Sequence, residues 1–234
     1  MKRFLSVAIT LTLLIGLFTG INNDAKANTA PQLLTGILQK MENAHRNLKS
    51  MKAAIVQKRV NSQIGTSDTD YGVVAYKPEN GRLKLRVDYT KPDTRTLAIV
   101  GDSLTFYQPR INQALKTSIG KATKNRATSS ALLALFTGSA KSLTGRYNID
   151  IVGEETVNGR PTTQLRLTPK GQDSVVSIEL WVSSETGLPV QGKSVERNGD
   201  YTIVKLSNVE LNTRIADADF NIKLPAGTAV VDKL

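Results

Sequence analysis

The chain has 234 residues, no cysteine, one histidine and a formal charge of +11, with 40% hydrophobic and 5% aromatic residues. Length and apolar content suit one domain with a sizeable core, and without cysteine that core must hold the fold unaided. The same composition excludes histidine-pair zinc sites and cysteine nucleophiles; the sequence also carries no Gly-x-Ser-x-Gly, no phosphate loop and no blocked basic run interleaved with aromatics for nucleic acid.

The N-terminus reads as an export signal. Lys2 and Arg3 give a basic start, Leu5 to Phe18 a mostly apolar core and Ala25-Lys26-Ala27 a small-x-small cleavage site, which puts the mature start at Asn28. The apolar core is short for a membrane span, and polar residues from Asn22 onward break it. Cleavage removes Lys2, Arg3 and Lys26 against Asp24 and takes two from the +11, leaving a basic surface that attracts anionic partners. No cysteine follows the apolar segment to accept a lipid, so the expectation is a soluble periplasmic protein that shuttles rather than stays anchored.

From Pro31 to about Met51 the pattern is helical: Leu34, Ile37, Leu38, Met41, Ala44, His45, Leu48 and Met51 share one stripe, which should pack on a sheet. Strand patterns follow at about 53–60, 70–77, 82–89, 95–100, 103–108 and 111–118. The alternation is strictest where Arg82, Lys84, Arg86 and Asp88 point one way and Leu83, Leu85, Val87 and Tyr89 the other. Asn80-Gly81, Asn158-Gly159 and Asn198-Gly199 sit between such runs and read as type I′ hairpin turns, which need positive φ at both central residues. Sequential antiparallel pairing is the natural topology.

Between Gly120 and Thr144 the period changes. KATKNRATSS reads as loop, and Ser129 to Gly138 as a short helix that is apolar around most of its circumference. Strands resume at about 146–152, 162–168, 174–182, 188–196 and 200–210, and Phe220–Leu224 and Ala229–Val231 read as closing edge pieces. Some ten strands with a long first helix and an apolar mid-chain helix fit one strongly curved antiparallel sheet whose concave apolar face both helices cover.

One ordered set is more specific than any pattern. Lys77-Pro78, Leu85 to Tyr89, Lys91-Pro92, Gly101-Asp102 and Phe106-Tyr107-x-Pro109, followed by Asp219 to Ile222 and Leu224 to Gly227, resembles the LolA family of periplasmic outer-membrane lipoprotein carriers. The resemblance is strongest over 72–109 and weak through the short helix. It implies an incomplete barrel with a helical lid over a hydrophobic cavity that receives lipoprotein acyl chains, with an inner-membrane lipoprotein-releasing transporter as donor and an outer-membrane acceptor lipoprotein as receiver. It implies no cofactor and no metal, and the reading is of a monomer.

On this reading the cavity wall is Leu83, Leu85, Val87, Ile99, Leu104, Phe106, Leu165, Leu167, Ile178 and Leu180, and the lid is Leu132, Leu133, Leu135 and Phe136. Ordinary core is the plain alternative for each, and what favours a cavity is a lining rich in aliphatics and poor in rings. The family's lid-securing arginine has its counterpart in Lys77, whose single compact charge makes a looser latch than a planar guanidinium. Arg86 falls on the wet face, Trp181 out of phase with Ile178 and Leu180 at a rim, and Glu154-Glu155 reads as a solvated turn. His45 lies within the helical stripe as a packing-edge residue, and no pair of carboxylates is marked for catalysis, so the chain reads as a non-enzyme. Two other functions fit the same fold: a lipid-sensing regulatory module, and a shuttle for a different lipid such as a glycolipid or polyene ester.

Overall fold

The computed structural model describes residues 29–79, 82–124, 128–137 and 139–232; the expected export signal and the Asn80-Gly81 turn lie outside the described residues. Helix α1 (Thr29–Asn47) leads into β1 (Met51–Asn61), β2 (Thr66–Glu79), β3 (Arg82–Lys91), β4 (Arg95–Val100), β5 (Ser103–Gln108) and β6 (Gln113–Ser118). Three short helices follow, α2 (Ile119–Lys124), α3 (Ser130–Thr137) and α4 (Ala140–Arg146), and then β7 (Tyr147–Val157), β8 (Arg160–Pro169), β9 (Val175–Ser183), β10 (Pro189–Glu196), β11 (Tyr201–Leu211) and β12 (Ala229–Val231).

Among the described residues all twelve strands belong to one sheet in the order β12-β6-β5-β4-β3-β2-β1-β11-β10-β9-β8-β7. Neighbours run antiparallel except the first pair, where β12 lies parallel to β6. The sheet curves and stays open, so the expected incomplete barrel is the observed architecture. Alternation decides which face is buried: in β3, Leu83, Leu85, Val87 and Tyr89 are buried while the residues between them are not. Ile55, Val74, Leu97, Leu104, Leu115, Leu165, Ile178 and Val204 join them in one continuous core on the concave side.

The differences from the sequence pattern have local causes. α1 stops at Asn47, so Leu48 and Met51 continue its stripe from the connection and from β1, both buried. The loop expected over KATKNRATSS begins as α2, and α4 follows α3; at six and seven residues these helices are too short to show an amphipathic period. Residues 109–111 form a 3-10 turn ahead of β6. Asn158-Gly159 has positive φ at both residues, as a type I′ turn requires, but in Asn198-Gly199 only Gly199 does. There the Asn198 side chain bonds Asp200, and the amide of Gly199 donates to the carbonyl of Glu196 within a longer loop. The strand expected at Phe220–Leu224 is not one: Phe220 ends a 3-10 turn (Asp217–Phe220), and the guanidinium of Arg86 takes the carbonyls of Asp219 and Asn221.

Tyr76 faces inward at 2% exposure. Burial pushes its phenol up to about 12 from 10.0. The folded chain therefore holds a proton that the unfolded chain releases, and stability falls as pH rises from about 10 towards 12. The loss is about 1.4 kcal/mol per pH unit in that window. Tyr76→Phe should flatten the alkaline slope of urea midpoints measured at pH 8 and pH 11; an unchanged slope would contradict the linkage.

Candidate functional site

The concave face does not stand empty: α3 occupies it. Leu132, Leu135 and Phe136 are 1%, 5% and 2% exposed, while Leu133 on the outer side is only half-buried. The helix comes this close because β10 has no side chain beneath it. A Cβ on Gly192 would lie 3.0 Å from the carbonyl oxygen of Ala131 and 3.4 Å from Leu135 Cγ. Phe136 meets the Tyr76 ring at a centroid distance of 5.2 Å, and Met41 of α1 adds to the same packing. Beneath them lie Leu83, Leu85, Val87, Ile99, Leu104, Phe106, Leu165, Leu167, Ile178 and Leu180, all buried in one cluster with Leu132, Leu135 and Phe136. The void between α1, α3 and the sheet, lined by Met41, His45, Tyr76, Leu135 and Phe136, is about 10 Å³. In this conformation α3 fills the space directly over these wall residues.

Inward-facing positions change character towards one end of the barrel. β1 runs from Ile55 to Gln57 and Arg59, β2 back from Val74 to Asp70 and Asp68, β4 from Leu97 to Arg95 and β11 from Val204 to Thr202. Asp70, 1% exposed, holds the centre. Arg95 donates to its Oδ1, and Arg59 Nη2 lies 2.8 Å from Oδ2 without the alignment of a hydrogen bond, so that contact is Coulombic. The Tyr89 hydroxyl donates to Gln57 at 3.0 Å, and the Arg95 guanidinium stands 5.5 Å from the Tyr89 ring centre. Burial is the first cause and the Asp70 charge the second in pushing the Tyr89 phenol far up. A cavity of about 350 Å³ opens over this polar end, beside the start of α3.

Lys77 is not placed as a lid latch. Tyr76 points inward, so its neighbour points to the convex face, where Lys77 Nζ donates to Asp217 at 2.6 Å. Lys84, opposite it in the ladder, meets the other carboxylate oxygen at 3.2 Å. Hydrogen bonds from Lys77 and then Lys84 hold Asp217 below its ordinary value. Arg86 lies on the same face, bonded to Asp88 at 2.8 and 3.0 Å as well as to the two C-terminal carbonyls. Together they fasten residues 217–221 to the outside of the sheet, a clasp that sequence reading missed because the partners are 133–140 residues apart. Glu154 and Glu155 are in β7 rather than a turn, and Glu155 accepts the Trp181 indole N–H, so Trp181 is a satisfied buried residue at 6% exposure.

The family described as "Outer membrane lipoprotein carrier protein LolA" matches residues 46–223, three quarters of the chain and all of β1 to β11. The chain belongs to the LolA family. A curated relative, the sigma factor AlgU regulatory protein MucB of Pseudomonas aeruginosa, is 32% identical over 85 residues, which are 36% of this chain and 26% of MucB. The crystal structure of MucB superposes with a TM-score of 0.54 at 18% identity, covering 81% of this chain and 62% of that one. An uncharacterized conserved protein of Thermus thermophilus superposes with a TM-score of 0.55 at 15% identity, over 86% of this chain and 99% of that one. The chain thus spans less than two thirds of MucB, and these superpositions establish the LolA-like fold alone. The family's description is of binding and carrying. Among the described residues no cluster of three or more His, Cys, Asp or Glu side chains is arranged to hold a metal ion, and no helix is long and apolar enough to cross a membrane.

Proposed function

We propose that this protein is a periplasmic carrier that takes the acyl chains of lipoproteins into its concave interior and transfers them from the inner to the outer membrane. One observation carries the reading: the apolar face of the sheet is covered by α3, an eight-residue helix, where a closed core would have the sheet's own side chains. In the carrier cycle α3 is the lid, with Leu132, Leu135 and Phe136 as its inner surface, and the ten buried wall residues receive the chains once it lifts.

Magnitudes support an exchange of helix for lipid. Each buried methylene contributes about 0.8 kcal/mol, so a sixteen-carbon chain gains on the order of 12 kcal/mol at most. Three large α3 side chains at about 1.5–3 kcal/mol each hold the lid down with roughly 5–9 kcal/mol. From water the guest wins. From a membrane, where the chain is already buried, the transfer is near balance, and small differences in lid closure set its direction. The donor is an inner-membrane lipoprotein-releasing transporter and the receiver an outer-membrane acceptor lipoprotein.

Added to spheroplasts, the purified protein should recover released lipoprotein in a soluble one-to-one complex; lipoprotein that stays wholly in the membrane pellet would contradict the carrier role. The similarity to MucB over 85 residues favours a second reading, a lipid-sensing regulatory module. A sensor retains its lipid, whereas a carrier hands its cargo on when acceptor membranes are added.

A further inference from the structure

Resting on the acyl-chain reading, we propose that a groove at a break in the sheet, between β10 and the far half of β11, is a second subsite that holds one fatty acyl chain while α3 is still down. β10 and β11 pair only from Gln191 opposite Lys205 to Val195 opposite Tyr201, and beyond Lys205 β11 runs on to Leu211 against β1 alone. Two residues cause the parting. Pro189, without an N–H to donate, begins β10, and Asn208, at a φ of 50°, lies in a bulge that bends β11. The groove left between the strands has a volume of about 460 Å³, whereas the void under α1 and α3 has about 10 Å³. A first chain can therefore dock here before the lid moves.

The break is built into the fold. The side-chain amide of Asn158, in the β7–β8 turn, donates to the carbonyl of Leu206, the first beyond the ladder, at 2.7 Å. Val157, Val190, Leu206, Val209 and Leu211 give the groove its apolar lining. Leu211 stands opposite the buried Met51 and so has the inward phase, yet it and Val209 are each 37% exposed, because they face the groove where a core would cover them. The buried hydroxyls in the wall are satisfied: Thr162 donates to the Glu155 carbonyl, and Ser183 accepts from the amides of Glu185 and Thr186. Among the described residues the charged ones lining the groove are Arg160 and Glu185, which pair with each other at 3.0 Å. A charged ligand therefore finds no spare counter-charge, and an added peptide strand would meet a carbonyl already taken and an edge bent by the bulge. A hydrocarbon chain needs neither. Met51, Leu188 and Pro189 line both the groove and the void under α1 and α3, so a chain docked here already touches side chains that the two helices cover.

The test irradiates the full chain with palmitic acid carrying a terminal diazirine and maps the cross-links by mass spectrometry over a range of probe concentrations. Labelling of residues 206–211 should reach half-saturation at a severalfold lower concentration than labelling of Leu85 and Val87 in the concave wall, because only the second requires α3 to lift. Val209→Asp, which puts a carboxylate into the apolar lining at a partly exposed position, should lower the groove labelling about tenfold, and Val209→Leu should keep it. Labelling of the concave wall should persist in both variants. Cross-links in the concave wall alone, or groove labelling that survives Val209→Asp unchanged, overturn the subsite while the acyl-chain reading stands. An uncharged strand-forming peptide, acetyl-Thr-Val-Thr-Val-Thr-Val-amide, should leave the groove labelling intact; loss of labelling at equal concentration assigns the break to strand addition and overturns the acyl chain. No cross-link at either place ends both readings.

Discussion

Gly192→Val should open the protein. Valine suits a strand, so β10 keeps its ladder, but the new Cβ falls 3.0 Å from the Ala131 carbonyl oxygen, and the two methyl groups beyond it have no room. A sheet of twelve strands does not yield, whereas a helix of eight residues does. With α3 lifted, the aliphatic wall is exposed, and a hydrophobic dye such as ANS should bind about tenfold more tightly, while far-UV circular dichroism stays within a few per cent of the parent. Gly192→Ala, which needs only a shift of a few tenths of an ångström, should give a partial effect. Unchanged dye binding in the valine variant would mean that α3 does not guard the interior.

The largest loss of stability should come from Asp70→Ala. Asp70 is 1% exposed between Arg59 and Arg95, and the Arg95 side chain is itself only 19% exposed, so removing the carboxylate leaves a guanidinium pair unpaired in a poorly solvated place. Breaking such a buried arrangement costs about 3–5 kcal/mol, a fall in melting temperature of roughly 10 °C for a domain of this size. The pairwise origin is checked with Arg95→Met, which in the double variant should return a large part of the loss because no uncompensated charge remains in the wall. Additive losses would show instead that each residue acts through packing alone.

Much of the sheet was legible because alternation is a local signal. Arg82 to Tyr89 alternates in sequence and in burial alike, and Asn158-Gly159 turns where its backbone preferences require. α3 was legible as well, since a short helix apolar nearly all round has to be buried among other elements. Long-range pairing was not. Lys77 before a proline carries no mark of its partner, and only the register, with Tyr76 inward and Lys84 opposite, directs it to Asp217. Phe220 to Leu224 has the composition of a strand, yet Arg86 occupies two of the carbonyls in that stretch and its neighbourhood. The polar end was hidden for a third reason: Gln57, Arg59, Asp70 and Arg95 each look like surface residues, and it takes the folded sheet to show that they share the inward phase of Ile55, Val74 and Leu97. The occupancy of the interior by α3 was equally beyond the pattern, which gave its apolar character but not the space left for it by Gly192.

The central claim is that acyl chains take the place of α3 against the concave wall. The most direct measurement is native mass spectrometry of the protein purified without detergent from the envelope compartment, with lipid extraction of the same sample. The account predicts a bound species carrying at least one long acyl chain, released in extraction, together with faster amide exchange across residues 130–137 in the lipid-bound form than in the empty one. A lipid-free protein that takes up no acyl chain when offered one, with α3 equally protected throughout, would contradict it.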